Sequence, residues 1–304
     1  MLDYYNLSTM LSTDELQIQS SARNYLESEI SPHVSRWWED GEFPEEKIPE
    51  FGEMGFFGAN LPVEYGCAGV NNVAYGLIMY ELERVDSGLR SFASVQGALV
   101  MYPIYRYGSE EQKKKYLPDM AAGKTVGCFG LTEHDGGSDP GAMKTNAVRD
   151  GESYILNGRK MWITNGNIAD VALVWAKNEE GRIKGFLVPT DTSGFKANEV
   201  DHKMSMRASV TSELVLDDVR VPATALLPEA DGLSAPLSCL TQARYGIAWG
   251  ALGALESVYD DALRFSKSRS TFDKPIAGRQ LVQDKLVDMV ADHTRAVSYT
   301  HLRA

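Results

Sequence analysis

Cysteine is scarce in this sequence. Cys67, Cys128 and Cys239 stand far apart, with no Cys-x-x-Cys pair. So sparse and odd a set is not a disulfide framework, and a reducing compartment suits it. The five histidines, His33, His134, His202, His293 and His301, show no His-Glu-x-x-His or other paired-ligand spacing, so no metal site is expected. No apolar run approaches the ~18 residues that a membrane helix needs, so no membrane insertion is expected. No basic stretch leads into an apolar one near the N-terminus, which speaks against a secretory signal. Basic residues are outnumbered, 30 Lys and Arg against 42 Asp and Glu, for a net charge of -12. That balance argues against a general nucleic-acid binder, which carries a basic face. It leaves room for a local basic pocket around an anionic ligand. The expected location is the cytoplasm of a bacterium.

What is present is ordinary globular material. The chain has 304 residues, 43% hydrophobic and 24% charged, enough for two or three domains around sizeable cores. The first part reads as helical. Ser12-Thr13-Asp14-Glu15 and Ser109-Glu110-Glu111-Gln112 match capping boxes, in which side chain and backbone satisfy each other's free N–H groups. Ile18, Ala22, Tyr25, Leu26 and Ile30 keep helical spacing, and Ser31-Pro32 is expected to end that helix. The pattern changes near Gly127. Asn157-Gly158 lies between the β-rich runs 154–156 and 161–164, which predicts a hairpin. Further strand-like runs at 171–175, 186–189 and 213–221 complete an antiparallel β region. Helical spacing returns over 243–267 and 280–297. The fold class expected is α+β: an all-α N-terminal domain over 1–125, an antiparallel β-barrel middle domain over 126–236, and an α-helical bundle begun at 237–304.

Three stretches carry chemistry. In Phe129-Gly130-Leu131-Thr132-Glu133-His134-Asp135-Gly136-Gly137-Ser138-Asp139-Pro140, a hydrophobic strand end leads into a polar loop with two glycines and hydroxyls at Thr132 and Ser138. Such a loop can hold a planar heterocycle and a pyrophosphate by backbone N–H groups; alone, a surface turn explains it equally well. In Lys160-Met161-Trp162-Ile163-Thr164-Asn165-Gly166, an indole and a hydroxyl two residues apart are expected on one strand face. The third is Arg269-Ser270-Thr271-Phe272-Asp273-Lys274-Pro275, followed by Gln280 and Asp288-Met289; singly it reads as a helix terminus.

Together, in this order, these stretches resemble the acyl-CoA dehydrogenase family over almost the whole chain. The family motifs are a Leu-Thr-Glu…Gly-Ser-Asp loop, a Trp-Ile-Thr-Asn strand, and an Arg-x-x-Phe-Gly turn followed by Gln and Asp-Met. Asp273 departs from the usual Gly, which bears on the turn because Gly often supplies a positive φ there. The resemblance implies FAD. Phe129, Leu131, Thr132, Gly137, Ser138, Trp162, Ile163 and Thr164 would contact it, and Arg269, Phe272 and Gln280 would touch the FAD of a neighbouring subunit. It implies an acyl-CoA substrate near Ser138, Leu237 and Arg244. It also implies an electron-transferring flavoprotein as acceptor, and a homo-oligomer, usually a tetramer.

Gly66-Cys67-Ala68-Gly69-Val70, the run from Glu81 through Glu83 and Arg90 to Ser91, and Ala243-Arg244-Tyr245-Gly246 narrow the resemblance to the glutaryl-CoA dehydrogenase branch. There Arg90 and Ser94 would receive the substrate's distal carboxylate, with Glu83 in the same network and Ser91 beside it. The reaction implied is dehydrogenation of glutaryl-CoA by removal of an α-proton and a β-hydride, then loss of CO2 to crotonyl-CoA, a step of amino-acid degradation. Dehydrogenation without decarboxylation, action on another acyl-CoA, and a non-catalytic flavin-binding scaffold stay open. The family's catalytic base is a Glu late in the C-terminal domain. The spacing puts it beyond Ala304, so no catalytic residue is assigned, and a polypeptide ending there is expected to be inactive. The tail 297–304 loses the apolar pattern and reads as the end of an incomplete reading frame.

Overall fold

Both capping boxes form. Ser12 starts α1 (Thr13–Tyr25) by accepting from the Glu15 N–H, and Glu15 returns the bond. The expected stop at Ser31-Pro32 does not occur. One π-turn over Leu26–Ile30 carries the helix on into α2 (Ser31–Asp40). The shift to an i→i+5 ladder makes Pro32 an early residue of a new α segment, where its missing N–H does little harm. After α3 (Ile48–Glu53) come α4 (Asn72–Val85), capped by Asn71, and α5 (Ser87–Ser94). A second π segment, Val95–Met101, leads into α6 (Tyr102–Tyr107). The helix α7 (Glu110–Ala121) starts at the Ser109 capping box and continues through Pro118. Seven strands follow: β1 (Gly127–Gly130), β2 (Asn146–Asp150), β3 (Ser153–Thr164), β4 (Val171–Lys177), β5 (Ile183–Pro189), β6 (Phe195–Glu199) and β7 (Thr211–Pro222). Then come α8 (Ser234–Ser268), a small ribbon of β8 (Ser270–Thr271) and β9 (Lys274–Pro275), and α9 (Gln280–Arg303).

The computed structural model describes Asp3 and residues 6–303. They fall into two units, and the chain passes between them within α2, just before α4, within α5 and within α8. The first unit takes Met1–Val34, Asn71–Arg90 and Tyr245–Ala304. In it α4 and α8 approach closely at glycines. A Cβ on Gly76 would lie 2.5 Å from the Trp249 indole, and one on Gly253 would overlap the Tyr80 carbonyl. Beneath this contact sits a buried ionic cluster. The fully buried Glu81 accepts from Gln19 Nε2 at 2.8 Å, from Arg23 Nε and Nη2 at 2.9 and 2.8 Å, and from Arg84 Nε at 3.0 Å. Arg23 also reaches Glu256 at 3.4 Å, and Tyr80 donates to the same carboxylate. Burial works to raise the Glu256 carboxyl, but the Tyr80 hydroxyl and Arg23 hold it below its ordinary value.

The second unit takes Ser35–Val70 and Ser91–Arg244. Phe43, Phe51, Phe56, Phe57 and Phe92 form its aromatic nucleus, with ring centroids 4.8 to 6.4 Å apart. Buried Gln96 joins helix to sheet. It donates to the carbonyls of Met120 (3.2 Å) and Thr125 (2.7 Å) and accepts from the Gly127 N–H at 2.8 Å.

The sheet order is β1-β4-β2-β3-β7-β6, with β5 on β4. It is curled and mixed. Most pairings are antiparallel, as expected, but β1 runs parallel to β4 from Gly127↔Val171 to Gly130↔Val174. After Gly130 the chain leaves that edge, and Asn146 of β2 takes it up again opposite Lys177. The loop 131–145 is therefore expelled from the sheet edge.

The hairpin predicted at Asn157-Gly158 is also corrected. β3 runs straight through these residues, and the turn lies earlier, at Gly151-Glu152. Asn157 instead faces an irregularity in β7. Its amide donates to Asp218 at 2.9 Å and accepts from the Asp218 N–H at 2.8 Å, with Asp218 at φ 51°. Gly158 sits at φ 152° where a Cβ would overlap Thr145. Asn-Gly here serves a bulge and a close approach, the other use of the same conformational freedom.

Because Arg23 is the cation shared by two buried carboxylates, Arg23→Met is expected to lower stability by about 3–5 kcal/mol, the usual cost of removing one member of a buried ionic set. Urea denaturation monitored by tryptophan fluorescence measures it. A loss below about 1 kcal/mol would mean that the cluster is solvated rather than buried.

Candidate functional site

The expelled loop and the end of β3 face one cavity of about 320 Å³ in the second unit. Phe129 at the end of β1, Leu131, Thr132, Gly137, Ser138 and Pro140 of the loop, and Trp162, Ile163 and Thr164 of β3 line it. Val95 and Leu99 of the π segment and Leu237, Leu240 and Arg244 of α8 complete the wall. Ten residues assigned to cofactor or acyl-CoA thus meet here. Val95, Leu99 and Pro140 were not anticipated, whereas Leu240 lies in the 237–244 stretch expected to face the acyl-CoA. The register of a π segment leaves no trace in helical periodicity, so only the apolar character of Val95 and Leu99 was visible.

Three successive residues of β3 line the cavity, which strand alternation forbids. The reason is a bulge. Between Lys160↔Leu214 and Ile163↔Ser212, β3 carries one residue more than β7. Trp162 absorbs it at φ 64°, a region that a bulky L-residue avoids. The indole is left 61% exposed. The expectation that Trp162 and Thr164 share a face by period-two spacing is replaced by this device.

Behind the wall lies a buried ion pair. Lys160 is fully buried, and its ammonium donates to Glu133 Oε1 at 2.8 Å and to the Leu131 carbonyl at 3.2 Å. Glu133 also accepts from the N–H groups of Lys144 (2.7 Å) and Thr145 (3.0 Å) and from the Thr145 hydroxyl (2.6 Å). Burial alone would raise the Glu133 carboxyl; the Lys144 N–H, Lys160 and Thr145 together bring it down to about 2. Burial pushes the Lys160 ammonium down to about 8 against the pull of Glu133.

The other expected residues lie elsewhere. Arg269, Phe272 and Gln280 belong to the first unit, all exposed, around the β8–β9 turn. Phe272 and Asp273 form that turn at φ 52° and 59°, so Asp273 adopts the positive φ for which Gly is usual. Asp is among the residues that tolerate it. Arg279 braces the turn, its guanidinium 5.8 Å from the Phe272 ring centroid and its Nη2 donating to the Thr271 carbonyl at 2.9 Å. Glu83 and Arg90 form an ion pair in the first unit, with side chains 10% exposed each. Ser91 is half-buried on α5, and Ser94 is buried at its end.

Three family models match in succession. "Acyl-CoA dehydrogenase, N-terminal domain" covers residues 12–124, the middle domain 128–219 and the C-terminal domain 230–303. A probable acyl-CoA dehydrogenase of Bacillus subtilis, YngJ, is 37% identical over 290 residues, covering 93% of this chain and 76% of its own. Among solved structures, a glutaryl-CoA dehydrogenase from Mycobacterium smegmatis in complex with FADH2 superposes with a TM-score of 0.96 at 53% identity, over 99% of this chain and 77% of that one. The glutaryl-coenzyme A dehydrogenase glutaryl-CoA complex gives 0.91 at 32% identity, over 96% and 76%.

The residues present fit an isoalloxazine. The walls are apolar and partly aromatic, Thr132, Thr164 and Ser138 offer hydroxyls, and Arg244 is the one charged residue of the lining. A Cβ on Gly137 would meet no atom of the protein within 4 Å, so packing of the chain itself does not demand that glycine. No described helix is long and apolar enough to cross a membrane. No group of three His, Cys, Asp or Glu side chains among the described residues could hold a metal ion.

Two expectations follow. Gly137→Val should leave the melting temperature of the flavin-free protein unchanged and weaken FAD by an overlap of about 1–3 kcal/mol, read by fluorescence titration; equal affinity would remove the loop from the flavin site. Glu133 has a depressed folded-state value, so its stabilisation is complete above its ordinary value of 4.5 and is lost as the pH falls toward about 2. The gap in unfolding free energy between wild type and Glu133→Gln should therefore narrow across that window. A gap independent of pH would show that Glu133 is not ionised by its partners.

Proposed function

The chain belongs to the acyl-CoA dehydrogenase family, and from that premise we propose that it is a glutaryl-CoA dehydrogenase of the decarboxylating kind. FAD is its cofactor and an acyl-CoA its substrate. FAD held by the cavity would supply the acceptor for the β-hydride of the acyl chain. We assign flavin contact to Phe129, Leu131, Thr132, Gly137, Ser138, Trp162, Ile163 and Thr164, and thioester contact to Ser138, Leu237 and Arg244. Arg269, Phe272 and Gln280 reach the FAD of a second subunit in a tetramer, and an electron-transferring flavoprotein takes the electrons.

The observation that carries the glutaryl assignment is the state of Arg90. Its Nε donates to Glu83, and no other hydrogen bond of this buried guanidinium is formed among the described residues. Its terminal nitrogens, at the 10% of the side chain left exposed, are free to donate to an anion from outside the chain. A carboxylate fits them bidentately, for about 1.5–3 kcal/mol. Ser94 stands one helical turn on, where its hydroxyl can add a donor. A plain alkanoyl chain would leave Arg90 unanswered, whereas the distal carboxylate of glutaryl-CoA completes it.

Glutaryl-CoA loses an α-proton and a β-hydride to give glutaconyl-CoA. The γ-carboxylate then departs as CO2, and the remaining dienolate takes up one proton as crotonyl-CoA. The cavity lining holds no carboxylate, so its residues position and desolvate, and none is assigned as the base. Apolar walls strengthen any hydrogen bond that stabilises the enolate oxygen once bound substrate has displaced water.

The test uses the purified protein with FAD, glutaryl-CoA and an artificial electron acceptor. Crotonyl-CoA with one CO2 per turnover is expected, and Arg90→Ala should lower kcat/KM for glutaryl-CoA by roughly 10- to 100-fold without a matching loss on butyryl-CoA. Glutaconyl-CoA without CO2 would remove the decarboxylation. Equal losses on both substrates would remove the carboxylate role of Arg90.

A further inference from the structure

We propose that Lys160 and Glu133 are positioning residues for the flavin, an ion pair outside the cavity that sets the shape of its wall. The proposal rests on the reading of the cavity as the flavin site.

Glu133 ties the loop 131–145 to itself. It lies near the start, and its carboxylate holds the backbone and hydroxyl at the end, at Lys144 and Thr145. Lys160 brings the third strand in, bonding both Glu133 and the Leu131 carbonyl. The next residue repeats the link, since the Met161 N–H donates to the Thr132 carbonyl at 2.8 Å. The bulge that throws Trp162 into the left-handed region begins just after Lys160. The pair thus fixes both ends of the wall loop and the strand residue from which the bulge begins, while neither partner lines the cavity.

Stability alone does not explain a fully buried lysine. An apolar residue of similar volume would fill the space at least as well as a desolvated ion pair. What the ammonium adds is direction: two carbonyl-type oxygens are fixed at a set distance from one strand. Groups that orient a binding wall from behind commonly change affinity by about 10- to 100-fold when removed. The partners are also specific to this spot. The last residue of β1, Gly130, lets the Lys160 stem pass, with a Cβ there only 3.3 Å from Lys160 Cγ.

The experiment compares wild type, Lys160→Met, Glu133→Gln and the double variant as full chains. It reads the FAD dissociation constant by fluorescence titration and the visible circular dichroism of the bound flavin. Each single variant should weaken FAD about tenfold or more and change the dichroism, and the double should be no weaker than the worse single, since both act through one pair. Should Lys160→Met not fold, Glu133→Gln carries the same two readouts. Wild-type affinity and dichroism in either folded single variant would overturn the proposal. Trp162→Ala separates this from an error in the site itself. If it weakens FAD while the pair variants do not, the cavity stands and the positioning role falls. If it too leaves FAD untouched, the flavin reading falls with it.

Discussion

The carboxylate of Glu133 is the point on which the candidate site depends. A sheet edge that changes hands, from β1 to β2 along β4, must expel the chain between them. An expelled loop of polar and glycine residues has no ladder to fix it, and its backbone groups need partners. Glu133 closes that loop upon its own far end and, through Lys160, onto β3. The result is a loop tied at both ends without strand geometry, with Leu131, Thr132, Gly137, Ser138 and Pro140 lining a cavity.

Local signals in the sequence were legible where local energetics decides. Ser12 and Ser109 begin helices because a hydroxyl and a carboxylate or amide three residues on satisfy orphan backbone groups at once. The strands 171–177, 183–189 and 211–222 were visible in part, as the β-rich runs 171–175, 186–189 and 213–221. Pairing was not visible, because it is non-local. Nothing in Phe129 or Leu173 distinguishes a parallel neighbour from an antiparallel one. Asn157-Gly158 shows the same limit from the other side. Its preference for positive φ is real, but a bulge opposite Asp218 uses it as well as a turn does. Pro32 was read as a stop because the π-turn before it depends on tertiary packing.

For the site, the residues were legible and their mechanism of presentation was not. The motif around Trp162 pointed to the right side chains through a resemblance, while the spacing argument behind it assumed a regular strand. The bulge breaks that regularity, and Trp162 at φ 64° is the cost. Lys160 and Glu133 stood in the quoted motifs without a role, because a charged residue in a polar loop and one in a strand each look solvent-facing from sequence. Only the fold reveals that both are withdrawn from water and opposite one another.

The two buried ionic systems differ in what they leave unfinished. In the cluster of Arg23, Glu81 and Glu256, the carboxylates are met by guanidinium, amide and phenol donors. It closes on itself and needs no ligand. The pair of Glu83 and Arg90 does not close, since one carboxylate meets a guanidinium only at Nε. A self-satisfied cluster specifies how helices pack, and a half-satisfied one specifies what must come from outside. On the proposed reading, the open side of Arg90 is the place for a carboxylate, and the apolar cavity of the second unit is the place for a flat, weakly polar ring. A dicarboxylic acyl thioester oxidised by a flavin needs both kinds of receptor, and a plain acyl chain needs only the second.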